Sequence, residues 1–171
     1  SVTIDGVNSG WAHEMIEVDS ETGHLKTSKK QNLTLSRAGI ELQIEVTSVF
    51  IETAKGKPIS TVSVQETMGQ SQETSWKFGE GTIEMTAVAG GAPVIKEIPA
   101  PEESWLTPQA AKRYFIEKLN EGLNAITYQT MAPELGPSVL TVVMTKKGES
   151  TQQVLGTETV VSSWEVVNDK M

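Results

Sequence analysis

Residues 40–50 read IELQIEVTSVF, and their alternation sets the class of the fold. Ile40, Leu42, Ile44, Val46 and Phe50 fall on one parity, and Glu41, Gln43, Glu45 and Thr47 on the other. A period of two puts the first group on a buried face of a strand and the second on a wet one. No breaker interrupts Gly39 to Thr53, nor Leu25 to Leu35 upstream, so both strands run long. Long antiparallel strands twist and coil, and a wide sheet of them curves around whatever fills its hollow.

Working outward, TVSVQET (61–67) and SWKFGE (75–80) supply residues that suit a pleated, half-buried surface. Turn signals separate such pieces at Asp19–Gly23, Arg37-Ala38-Gly39, Ala54–Pro58, Met68-Gly69-Gln70, Gly79–Gly81, Ala89–Gly91 and Lys147-Gly148-Glu149, the spacing of a meander. At the front, DGVNSGWAHEMIEV (5–18) reads as the first hairpin, with Asn8-Ser9-Gly10 as a turn and Trp11 closing the edge of the core. Trp11, His13 and Met15 then share one side of a strand, and Ala12, Glu14 and Ile16 the other.

One strong helix is expected over about 107–121, within ESWLTPQAAKRYFIEKLNEG (103–122). Thr107 suits the N-cap, Pro108 the first helical position, and Gly122 the left-handed residue that ends the helix. Leu106 is placed to staple onto Ala111. Ala111, Tyr114, Phe115 and Leu119 share an apolar face, with Gln109, Arg113, Glu117 and Asn120 opposite. IPAPEE (98–103) ahead of it cannot join a central strand. After it come AITYQTM (125–131), the turn APELGP (132–137) and SVLTVVMT (138–145), whose Val139, Leu140, Val142, Val143 and Met144 predict a central strand covered on both sides. VVSSWEVV (160–167) reads as the last strand. The expected fold is mainly β with an α+β element: a curved antiparallel sheet, a half-barrel, around one main helix.

The 171 residues fit a single domain, 1–171, able to bury its own core. The absence of cysteine excludes disulfides, thiolate zinc sites and thiol nucleophiles. A net charge of −8 argues against a nucleic-acid partner. The basic run KTSKK (26–30) reads as the solvated side of a strand. No apolar run approaches the ~20 residues of a membrane span. The opening SVTIDGV lacks an initiator Met and already alternates, so the chain is expected to be part of a larger polypeptide.

Catalytic, cofactor and metal sites are not expected. His13 and His24 are the two histidines, and neither HExxH nor a His cluster accompanies them. His13 and Glu14, as strand neighbours, diverge. GxSxG is absent, Glu102-Glu103 suits the loop before a helix, and GEGT (79–82) and AGGA (89–92) are hairpin turns. Asn32-Leu33-Thr34 matches a glycosylation acceptor by coincidence on a strand. Trp11, Trp76, Trp105, Tyr114, Phe115 and Leu119 are the candidate lining of an apolar pocket or core. Rings of this kind plug a sheet–helix core more often than they line a cavity, with the indole N–H bonded to a carbonyl.

Taken together, DGVNSGW, GIELQIEVTSVFIETAKGKPISTVSVQETMG, SWKFGEGTIEM, IPAPEESWLTPQAAKRYFIEKL and ITYQTMAPELGP resemble the N-terminal β domain of bacterial transglutaminase-like proteins, over about Asp5 to Val143. The resemblance implies a fold similar to periplasmic lipoprotein carriers (LolA-like), a periplasmic or extracytoplasmic location, and a Cys-His-Asp triad in a catalytic domain that follows. No residue of that triad is carried over to this cysteine-free chain.

Three functions are therefore expected, in descending order. The first is a non-catalytic scaffold or substrate-presenting domain whose partner is the adjacent domain of the same polypeptide. The second is a carrier of an apolar ligand or lipid on the concave face of the sheet, which requires a pocket of roughly 300 Å³ between sheet and helix. The third is an independent hydrolase. The carrier reading fails if Phe115 and Leu119 fill that space.

Overall fold

The computed structural model describes residues 2–4, 7–37, 40–132 and 136–169. Among these the chain is mainly β, with one helix. Eight consecutive strands form an antiparallel meander: β1 (Val2–Ile4), β2 (Val7–Val18), β3 (Leu25–Arg37), β4 (Ile40–Glu52), β5 (Pro58–Thr67), β6 (Gln70–Phe78), β7 (Thr82–Ala89) and β8 (Val94–Pro99). The helix α1 (Pro108–Asn120) follows, and then β9 (Ala125–Met131), β10 (Val139–Val154) and β11 (Thr157–Asn168) form a second sheet in the order β11-β10-β9. The large sheet does not close, since β1 and β8 remain its two edges. Pro99 pairs with Thr82 on the β8 edge, where a proline costs no ladder bond that a further strand would need.

The register fixes which residues share a face. Thr27, Phe50, Thr61 and Trp76 stand opposite one another across β3 to β6, and Trp76 continues to Met85 on β7. Trp76 and Ile83 are buried in a cluster with Met131 of the second sheet, and Phe78, Met85, Ile98, Trp105 and Val139 pack around them. Phe78 joins the rings, its centroid 5.9 Å from Phe50 and 5.8 Å from Trp105. The core therefore sits between one face of the large sheet, the chain leading into α1, and the β9–β10 end of the small sheet.

Glu52 is wholly buried at the end of β4, on the parity of Ser48 and Phe50. Its Oε1 accepts the hydroxyl of Thr107 at 2.7 Å, and its Oε2 accepts the backbone N–H of Gln109 at 3.0 Å. The first turn of α1 has no acidic residue and Thr107 makes no cap bond to its own helix. A strand carboxylate thus satisfies one of the orphan N–H groups and faces the positive end of the helix dipole. Gln109 completes the joint by donating Nε2–H to Thr27 Oγ1 at 2.8 Å. At the other end Gly122 (φ +79°) donates to Leu119 O and Leu123 N–H to Lys118 O, the paired bonds of a Schellman stop.

Several expectations change. Asn8-Ser9-Gly10 lies inside β2 and is not a turn, and Trp11 is 43% exposed and does not close the core. Gln109 is buried and not on the wet face, because Glu52 and Thr27 reach it from the sheet. Leu119, expected on the apolar face, is 37% exposed. Leu106 keeps its place ahead of the helix, its N–H on Gln129 O and its carbonyl accepting from the Thr130 hydroxyl. β10 is central in pairing, but Val143 is exposed, so one of its faces is open. Gly148 marks a register shift within β10, and the hairpin turns instead at Leu155 and Gly156, both at positive φ. Among the described residues the buried indole N–H of Trp76 has no hydrogen-bond partner, against the expected carbonyl. The turns at Arg37-Ala38-Gly39 and APELGP, like Asp5, fall partly or wholly outside the described residues.

Candidate functional site

Between the inner face of β2 to β4, the helix and the small sheet lies a cleft of about 340 Å³. Thr27, Ser48 and Phe50 form its floor, Ala111 and Phe115 the helix wall, and Tyr128, Met131 and Met144 the far wall. Glu14, Lys29 and Lys112 stand around it as its charged groups. Each wall is held from behind. Phe50 contacts Phe78, Phe115 meets Trp164 of β11 edge-on at 5.2 Å, and Tyr128 meets Tyr114 edge-on at 6.5 Å. The Phe115 ring is therefore engaged with β11 while it lines the cleft together with Phe50.

Charge and polarity are distributed unevenly. Glu14 and Lys29 are register partners on β2 and β3, with Nζ 4.0 Å from Oε2. Lys112 approaches the other oxygen of the same carboxylate at 3.9 Å. Burial against the helix raises the pKa of the Tyr128 phenol above its ordinary value. On the opposite face of the large sheet, Lys26 pairs with Glu17 at 2.9 Å and Lys30 with Glu45 at 2.7 Å. Exposed pairs of that kind are screened by solvent and add little to stability.

Of the six candidate lining residues, Phe115 lines the cleft and Tyr114 supports Tyr128 behind it. Trp76 and Trp105 belong to the core cluster at Met131, while Trp11 and Leu119 are exposed. His13 faces away from the cleft opposite Lys30, and His24 lies past the last pair of the β2–β3 ladder, Val18 with Leu25. At about 3.4 Å per residue the two histidines are more than about 15 Å apart along the strand. No group of three or more His, Cys, Asp or Glu side chains that could hold a metal occurs among the described residues. The cleft offers hydroxyls, thioethers, rings and three charges, a set suited to binding by shape, apolar contact and electrostatics.

Sequence reading missed Lys29, Glu14, Lys112 and Phe50 as cleft residues. Parity held part of the signal. Lys29 shares its parity with Leu25 and Thr27, not with Lys26 and Lys30, so KTSKK is split between the two faces of β3.

No protein-family model matches this chain, and neither a curated protein nor a solved structure is significantly similar to it. Among the described residues no helix is long and apolar enough to cross a membrane.

Proposed function

We infer that this chain is a non-catalytic binding module that holds a small apolar ligand in the cleft between its large sheet and α1. One observation carries the reading: a cleft of about 340 Å³, lined by Phe50, Phe115, Met131 and Met144 among others, lies beside a Phe115 ring that packs on Trp164. Ligand sites are clefts of roughly 300–1,000 Å³ with mainly apolar walls and a few polar groups. Met131 and Met144 give the far wall side chains that re-pack around different shapes. In this reading the large sheet is a half-barrel closed over the helix, with the ligand on its concave side. That is the architecture implied by the resemblance to the N-terminal domain of transglutaminase-like envelope proteins.

The second reading is a scaffold that docks a neighbouring domain of the same polypeptide, and the exposed Val160, Val166 and Val167 of β11 favour it. The two combine if the bound ligand is presented to that domain.

Titration with octanol, followed by calorimetry, tests the binding reading. Saturable one-site binding is expected, and Ala111→Phe, which fills the cleft from the helix side, should abolish it while leaving cooperative unfolding in place. Absence of saturable binding would sink the reading. A non-catalytic module also incorporates no amine into glutamine and hydrolyses no peptide, with or without a chelator. Turnover abolished by His13→Ala would revive the hydrolase reading.

A further inference from the structure

We propose that the ligand is a single-chain amphiphile with an anionic head, a carboxylate on a short alkyl tail, whose head lies between Lys29 and Lys112 and whose tail lies between Phe50 and Phe115. The inference rests on the binding reading above and adds the chemistry of the head group. Two ammonium groups and one carboxylate line the cleft. Lys29 reaches Glu14 at 4.0 Å and Lys112 at 3.9 Å, beyond hydrogen-bond length in both cases. Elsewhere on the sheet the comparable pairs close to 2.7 Å for Lys30 with Glu45 and 2.9 Å for Lys26 with Glu17. The two lysines are thus spread over one shared carboxylate, with donors directed at no acceptor within hydrogen-bond range among the described residues.

The surroundings do not cancel this surplus. Glu52, on the same face of β4, has one oxygen held by Thr107 and the other by Gln109, so its charge is matched to the positive end of the α1 dipole and not to the two lysines. Lys146 is paired with Glu149, away from the lining. An anionic head would complete the lysines, whereas a cationic head would meet two ammonium groups. The volume, about 340 Å³, lies at the lower end of the range for small-molecule sites and suits a short alkyl tail, for which an eight-carbon chain is the probe.

Calorimetric titration of the whole chain with octanoate, octanol and octylammonium at low ionic strength tests the proposal. Octanoate should bind about 10-fold tighter than octanol, with octylammonium weakest, as two half-exposed ionic contacts allow. That advantage, read as the ratio of octanoate to octanol affinity in the same variant, should shrink with added salt and vanish in Lys29→Met/Lys112→Met. Glu14→Gln should act in the opposite direction and tighten octanoate, a result no unfolded variant can give. Equal affinity for octanoate and octanol, an advantage that survives the double substitution, or no gain from Glu14→Gln would overturn the anionic head and leave the binding reading standing. Failure of every probe to bind overturns both.

Discussion

Thr107 donates its hydroxyl to Oε1 of Glu52 at 2.7 Å, joining the start of α1 to the end of β4 across 55 positions of sequence. The same carboxylate takes the Gln109 N–H, so one strand residue does the work of an N-cap for a helix that has no acidic residue in its first turn. Glu52→Leu should cost about 2–4 kcal/mol, since it orphans a buried N–H and removes a cap. Glu52→Gln should cost about half as much, because its carbonyl can still accept from Gln109 while Thr107 turns to Gly56 O, 3.3 Å away. Urea unfolding measures both. Equal costs would mean that the joint is not a hydrogen-bonded cap.

The Phe115 ring sets a second expectation. Because it packs on Trp164 and borders open space, Phe115→Ala should cost about 1–2.5 kcal/mol and not the 3–5 of a filled core site. A double-mutant cycle with Trp164→Ala should give a coupling of about 0.5–1.5 kcal/mol. A loss near 4 kcal/mol would show that the ring fills the hollow, contrary to the open cleft.

Tyr128 should titrate late. Burial raises the folded-state pKa of its phenol, so the folded state keeps its proton where the unfolded chain begins to lose it. The stability linked to this group is therefore complete below the unfolded value of about 10 and falls as pH rises from there through the folded value. A Tyr114→Phe variant leaves Tyr128 as the one phenol in the chain. Its phenolate absorbance should then have a midpoint above the ordinary one in the folded protein and at the ordinary one in denaturant. Coincident midpoints would contradict a buried far wall.

Gly10 should resist substitution. Its φ is +152°, and a Cβ there would stand 1.9 Å from the carbonyl oxygen of Asn32. Gly10→Ala should cost about 2 kcal/mol or more, through strain and a forced shift of β2 against β3. Gly69→Ala meets open space at φ +76° and should cost only about 1 kcal/mol. Thermal melts of the two variants decide, and equal shifts would place the β2–β3 contact elsewhere.

Local signals were enough for the meander and the helix. Ile40 to Phe50 alternate, Thr107-Pro108 opens α1 and Gly122 closes it, and each of these rests on sterics or hydrogen bonds within a few residues. Hairpin tips were legible where glycine marked them, as at Gly69 and Gly90, but Gly148 also looked like a turn. It pairs with Ser163 beside a register shift in a 16-residue strand, and only the partner β11 distinguishes that from a turn.

The sequence by itself determined that the chain is mainly β with one helix, where that helix begins and ends, and that thiol chemistry is excluded. Those properties depend on near neighbours along the chain and on composition. Tertiary structure decided the rest: that Glu52 and Gln109 are buried while Trp11 and Leu119 are not, that β9 to β11 form a sheet of their own, and that Lys29 and Lys112 share Glu14 beside an open cleft. An acidic or amide side chain goes inside only when a distant partner satisfies it, and a ring is left exposed only when no second surface arrives to cover it. Both conditions are set by contacts between elements far apart in sequence, for which alternation and capping signals carry no information.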